Sequence, residues 1–176
     1  MAVTLSRRPL EDTGCQVLAY GAKDTGEMGG GAAQALLMLG GPELQEARRQ
    51  ELARTARGIG EVVFTEPFRM ADRKALAICH IVSIRKHTSQ GAWCPEPDKL
   101  AAGVERCLQG CRERNLSSVA LSCLGTGEGR VDPAHAARMM VGAAKQHGKG
   151  LEVTFALPNA RDYAAFERQL SFSAGR

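Results

Sequence analysis

The chain has 176 residues, enough for one domain with a sizeable core. Apolar residues make up 44% and charged residues 24%, an ordinary globular balance, and no run approaches the about 20 apolar residues that span a bilayer. The formal charge of +4 is too mild to indicate a nucleic-acid surface on its own, though it favours an anionic small molecule.

In chain order, Val3 to Ser6 reads as a short strand and Pro9 to Gly14 as a turn. The stretch from Met1 to Pro9 has its arginines after the apolar residues and no long apolar region beyond, so it does not read as a secretory signal. Gln16 to Tyr20 is a second strand that enters a loop ending in Gly29, Gly30 and Gly31. A helix over Ala32 to Leu39 follows and stops at Gly40 and Gly41. Pro42 opens another helix over Glu43 to Ala56, with Leu44 and Leu52 facing inward. Gly60 to Thr65 reads as an edge strand, and Pro67 to Asp72 as a turn. Ala75 to Ile84 is short and apolar, so it reads as a central strand. Arg85 to Asp98 reads as a polar loop holding the only tryptophan, Trp93, as a lid or a partner contact.

Leu100 to Arg114 is an amphipathic helix, and Ser118 to Cys123 an inner parallel strand. Leu124 to Val131 is a second glycine-rich loop. Asp132 and Pro133 then have the chemistry of an N-cap and a first helical residue for a helix over Ala134 to Gln146. Glu152 to Leu157 is the last strand, Asp162 to Leu170 the last helix, and 171–176 a frayed tail. The alternation predicts one domain over 1–176, a three-layer α/β/α sandwich with a mixed, mostly parallel sheet.

Both glycine-rich loops follow the C-terminal end of a strand and precede a helix, where open α/β sheets bind ligands. A glycine run exposes backbone N–H groups that can approach a phosphate, and the first amides of the next helix point the same way. A tight packed turn uses glycine equally well, so the pair of loops carries more weight than either one. Six cysteines (Cys15, Cys79, Cys94, Cys107, Cys111 and Cys123) form no CxxC and have no zinc-site spacing, so the reading is free thiols in a reducing, cytoplasmic setting, with no metal and no cofactor. His80, between Cys79 and Ile81, reads as a hydrogen-bonded core histidine.

The chain resembles the macro domain family, the module that binds ADP-ribose, from about Gln16 to Leu170. The resemblance rests on four stretches: Met28-Gly-Gly-Gly-Ala32 after its strand, Ile78-Cys-His-Ile-Val82, Val119-Ala-Leu-Ser-Cys-Leu-Gly-Thr-Gly-Glu-Gly-Arg-Val131, and the ending from Val153 to Phe166. It implies that Gly29, Gly30, Gly31 and Ala32 wrap a diphosphate from one side. Leu124, Gly125, Thr126, Gly127, Glu128, Gly129 and Arg130 wrap it from the other. Ala22, Lys23 and Asp24 then stand at the distal ribose, and Pro158 and Asn159 beside the adenine.

Departures from the family pattern bear on function. Its two asparagines before the glycines fall on Tyr20 and Lys23. Lys23 has no acceptor for a ribose hydroxyl but can pair with phosphate, and Asp24 can take the hydroxyl instead. Ala33 stands where hydrolytic members carry an acid. Gln45 and Glu46 echo a glycohydrolase glutamate pair in another context. Glu128 inside an anion loop has to point away from a phosphate or weaken its binding by like-charge repulsion. Glu11 or Asp12 can meet the adenine amino group, and Pro158 offers less stacking area than an aromatic residue.

Three functions follow from the resemblance. The first is a binder of ADP-ribose, of a related nucleotide diphosphate or of an ADP-ribosylated macromolecule. The second is an ADP-ribosyl hydrolase, with Asp24 as the catalytic residue that positions the water, or Glu27 in that role. The third is a scaffold or protein-interaction domain without ligand. No basic–aromatic interleaving supports nucleic acid, and nothing supports a membrane partner.

Overall fold

The computed structural model describes residues 2–54, 58–86 and 93–174. It contains seven strands: β1 (Ala2–Ser6), β2 (Val17–Lys23), β3 (Val62–Thr65), β4 (Ala77–Lys86), β5 (Trp93–Pro95), β6 (Ser118–Ser122) and β7 (Glu152–Ala156). Among the described residues the α-helices are α1 (Gly31–Gly40), α2 (Pro42–Arg54), α3 (Leu100–Glu113), α4 (Pro133–His147) and α5 (Ala160–Ala174). The sheet runs β1-β7-β6-β2-β4-β3, and β5 also pairs with β4. The neighbours from β1 to β4 are parallel, while β3 and β5 join β4 antiparallel.

Side chains alternate between the two faces of the sheet, and this builds two cores. On β2, Val17 and Ala19 pack with Val104, Leu108, Met140 and Phe166 from α3, α4 and α5. Leu18, Tyr20 and Ala22 pack with Leu36, Leu44 and Met70 on the other side, under α1 and α2. The result is the predicted α/β/α sandwich with a mixed, mostly parallel sheet. No described helix is long and apolar enough to cross a membrane.

Helix α3 lies close on the sheet because two of its positions are glycine. A Cβ at Gly103 would meet Ile81 Cγ2 at 2.5 Å, and one at Gly110 would meet the Phe64 ring at 2.4 Å. Asp132 caps α4 as expected, its Oδ1 accepting the N–H groups of Ala134 (2.9 Å) and His135 (3.3 Å).

The elements depart from the sequence reading in a few places. β2 runs on to Lys23 and β4 to Lys86. What read as a loop from Arg85 contains β5, whose Cys94 and Trp93 pair with Arg85 and Lys86. Backbone ladders extend these strands past their apolar segments, where side-chain pattern gives no signal. The turn after Pro67 is a 3-10 helix over Phe68–Arg73. The end of the second helix at Ala56, residues 87–92, the side chain of Trp93 and the last two residues of the tail lie outside the described residues. α5 continues to Ala174.

Candidate functional site

The parallel strands all end at one edge of the sheet, and a cleft of about 510 Å³ opens there. Sheet order arranges its lining. Ala156, Pro158, Asn159 and Asp162 stand beyond β7, and Ser122 and Cys123 at the end of β6. Gly21 and Lys23 stand on β2, and Ser83 and Ile84 on β4. Gly29 to Ala33 close one side, Gly125 to Gly129 the other, and Pro9, Leu10 and Glu11 come from the segment after β1.

A register shift between Ala22 and Lys23 marks the mouth of the cleft. Ala22 pairs with Val82 and Lys23 with Ile84, so Ser83 is the extra residue of β4. Bulges of this kind re-aim side chains at a sheet rim. Lys23 then projects into the cleft, and its Nζ lies 3.0 Å from Oε1 of Glu128.

The two glycine-rich segments are built differently. Gly30 has φ +83°, and a Cβ on it would come within 2.9 Å of the Glu128 carboxylate. Its carbonyl takes the first α1 bond, from Gln34 N at 3.4 Å. The second segment is folded on itself, with Val131 N donating to Gly125 O and Arg130 N to Gly127 O, both at 3.0 Å. Gly129 is enclosed: its Cβ would meet Gly125 O at 2.6 Å. Gly127 has no atom within 4 Å of its Cβ position, although it lines the cleft.

The loop between β2 and α1 is held from behind by α2. Buried Arg48 donates Nη1 to Glu27 O at 2.8 Å and Nη2 to Lys23 O, bracketing the loop. Gln45 Oε1 accepts the N–H of Met28 at 3.2 Å. Gln45 is therefore a loop support and does not line the cleft. Behind Arg48, Tyr20 OH lies 2.6 Å from His80 Nδ1, and Thr65 Oγ1 lies 2.8 Å from His80 Nε2. Burial, helped by the Arg48 charge, holds this imidazole well below its usual range, and burial pushes the Tyr20 phenol up. His80 is the hydrogen-bonded core histidine expected from its apolar strand.

At the β7 end, Thr126 Oγ1 donates to Asp162 Oδ2 at 3.4 Å. Burial raises the Asp162 carboxyl above its ordinary value, against the opposing Thr126 bond and Arg161 charge. Cys123 is pushed up to about 12 by burial and by the Asp162 charge, so its thiol is a poor nucleophile here.

Of the residues singled out in the sequence, Glu11, Lys23, Glu27, Gly29, Gly30, Gly31, Ala32, Gly125, Thr126, Gly127, Glu128, Gly129, Pro158 and Asn159 line the cleft together. Asp12, Gln45 and Glu46 do not, and neither do the following residues. Ala22 points into the core under α1. Leu124 is fully buried, and its N–H meets Met140 Sδ at 3.4 Å. Arg130 is exposed at φ +52°. Asp24 turns to β4, its N–H donating to Ile84 O and its Oδ1 accepting from Lys86 N, both at 3.2 Å. Glu128 does not turn out of its loop; it lies across Gly30 onto Lys23. Asn159 also caps α5, its Oδ1 accepting from Arg161 N at 2.8 Å.

Sequence reasoning missed Asp162, Ser83 and Ser122 in the lining. Asp162 carried one signal, its place a few residues past the end of an inner strand. Among the described residues, no three His, Cys, Asp or Glu side chains come together to hold a metal ion.

The fold has clear counterparts. The Oceanobacillus iheyensis macrodomain with ADP superposes with a TM-score of 0.81 at 21% identity, covering 98% of this chain and 90% of the other. A mutant of the same macrodomain with ADPR gives 0.82 at 20% identity, covering 99% and 93%. The Trypanosoma brucei macrodomain in complex with ADP-ribose gives 0.78 at 22% identity, covering 96% and 68%. In sequence, uncharacterised proteins of Mycobacterium tuberculosis and Mycobacterium bovis are each 31% identical over 121 residues, 69% of this chain. The chain spans only 31% of the length of these curated relatives. The macro domain family profile matches residues 20–140, more than half of the chain. The chain belongs to the macro domain family.

Proposed function

We propose that the cleft binds ADP-ribose or a related nucleotide diphosphate. One observation carries this reading: two glycine-rich segments face each other across a cleft at the C-terminal strand ends, with a lysine between them. Bare backbone on both sides lets a diphosphate approach N–H groups, and its volume suits a ligand of this size. The relatives with ADP or ADP-ribose in the same fold support the choice of ligand. In this reading the β7 end, with Pro158, Asn159 and Asp162, receives the nucleoside, and an ADP-ribosylated macromolecule is the wider partner.

Binding without hydrolysis is the preferred form of the proposal. Of the two acids named for hydrolysis, Asp24 uses its carboxylate on the Lys86 N–H and stands off the lining, while Glu27 lines the cleft. Isothermal titration with ADP-ribose tests the reading, using Gly127→Val as the control. A Cβ there meets nothing in the protein, so the variant keeps the fold, and because Gly127 lines the cleft the added side chain is expected to narrow it. Saturable binding to the wild type that disappears in the variant is expected. Equal binding by both, or none by a folded wild type, overturns it.

A further inference from the structure

We infer that the β2 end of the cleft is an anion subsite, filled by the protein's own Glu128 carboxylate and taken over by the terminal phosphate of a nucleoside diphosphate. The inference rests on the nucleotide-binding reading and narrows its ligand class. It starts from where Glu128 sits. Its Oε1 is 3.0 Å from Lys23 Nζ and 2.9 Å from the position a Cβ would take on Gly30. Lys23 Nζ is in turn 3.9 Å from the Cβ position of Gly29. An oxyanion thus already rests between a lysine and the bare backbone of the first glycine run, inside the cleft.

What can replace that carboxylate is a question of charge. Lys23 is only 14% exposed along its side chain, while Glu128 is 40% exposed. The acid can therefore swing out to water at little cost, but the ammonium cannot. A neutral ribose hydroxyl offers no charge in exchange for the carboxylate. A terminal phosphate offers about two negative charges and three acceptor oxygens near pH 7. A phosphate inside the diphosphate bridge of ADP-ribose carries one, and the ribose beyond it then has to fit where the ion pair stands. The loop agrees on one side of Glu128, since the Cβ position of the neighbouring Gly127 is open.

The site therefore favours ligands that end in phosphate, with Glu128 as the competing resident anion. Isothermal titration of the full chain with ADP and with ADP-ribose tests this in the wild type, Glu128→Gln, Lys23→Gln and the double variant. Thermal melting of each variant checks the fold. The wild type is expected to bind ADP more tightly than ADP-ribose. Glu128→Gln should tighten ADP severalfold and ADP-ribose less. Lys23→Gln should weaken ADP by about tenfold or more, the loss of one charge-assisted contact, and ADP-ribose by a smaller factor. The double variant should lose the gain conferred by Glu128→Gln. If ADP-ribose binds more tightly than ADP, or each substitution shifts both ligands by the same factor, the anion subsite is wrong and the nucleotide cleft stands. If the folded wild type binds neither ligand, the nucleotide reading falls and this inference with it.

Discussion

Lys23 and Glu128 form a 3.0 Å ion pair that ties the end of β2 to the second glycine-rich segment across the face of Gly30. The pair joins positions 105 residues apart in the chain and links the two walls of the cleft through charge. Glu128 is partly exposed, so the pair contributes little to folding, within about 1 kcal/mol. Replacing either partner by glutamine should shift the unfolding midpoint in denaturant only slightly. A large shift would mean that the pair is a structural strut.

The glycines of the second segment should separate into two kinds. Gly129→Ala drives a Cβ into the Gly125 carbonyl and into Ile84 Cγ2 at 2.7 Å, so it should destabilise the domain by about 1–3 kcal/mol. Gly127→Ala meets nothing and should leave stability nearly unchanged. Denaturant unfolding of both variants measures the contrast, and similar losses would contradict the described loop.

Arg48 should control the cleft from behind. Arg48→Met retains most of the buried stem but removes the donors to Glu27 O and Lys23 O. Glu27 O then loses its donor and Lys23 O keeps the Gly26 N–H at 3.5 Å, a loss of about 1–3 kcal/mol. Hydrogen exchange should quicken across Lys23 to Met28, and nucleotide affinity should fall. Unchanged exchange in that loop would contradict the bracing role.

The buried Tyr20–His80–Thr65 chain predicts a pH dependence with a definite sign. The folded imidazole titrates well below 6.5, its ordinary value. Between those two values the unfolded chain holds a proton that the folded chain does not, so stability rises with pH. The full contribution is present above about pH 6.5 and declines by about 1.4 kcal/mol per unit as the pH falls below it. His80→Gln should lose this slope while destabilising the protein at pH 7. Parallel pH profiles for wild type and variant would contradict a neutral folded His80.

Cys123 lines the cleft yet should react slowly. With its thiol near 12, iodoacetamide at pH 8 should label it far more slowly than an exposed cysteine. Asp162→Asn removes a charge that raises the thiol, so it should speed labelling. Bound nucleotide should slow labelling in both proteins. Peptide mass spectrometry follows Cys123 separately from the other cysteines, and fast labelling of the wild type would contradict the assignment.

The sheet and helices were legible because apolar runs and glycine or proline stops coincide at most boundaries. Leu124 and Ala22 show the limit of this reading. Each lies within a segment that reaches the cleft, but strand and loop direction turn its side chain into the core. The partner of Glu128 and the brackets of Arg48 were not legible, because both depend on contacts between segments distant in sequence. Asp24 looked available for chemistry until the bulge at Ser83 placed the Lys86 N–H against it.

The most direct test of the nucleotide cleft is a titration of the 15N-labelled full chain with ADP, followed through backbone amide shifts. Saturating changes should centre on Gly29–Ala32 and Gly125–Gly129, with smaller ones at Ser83, Asn159 and Asp162. Saturating changes elsewhere on the surface, or no changes at millimolar ADP in a folded protein, would contradict the account.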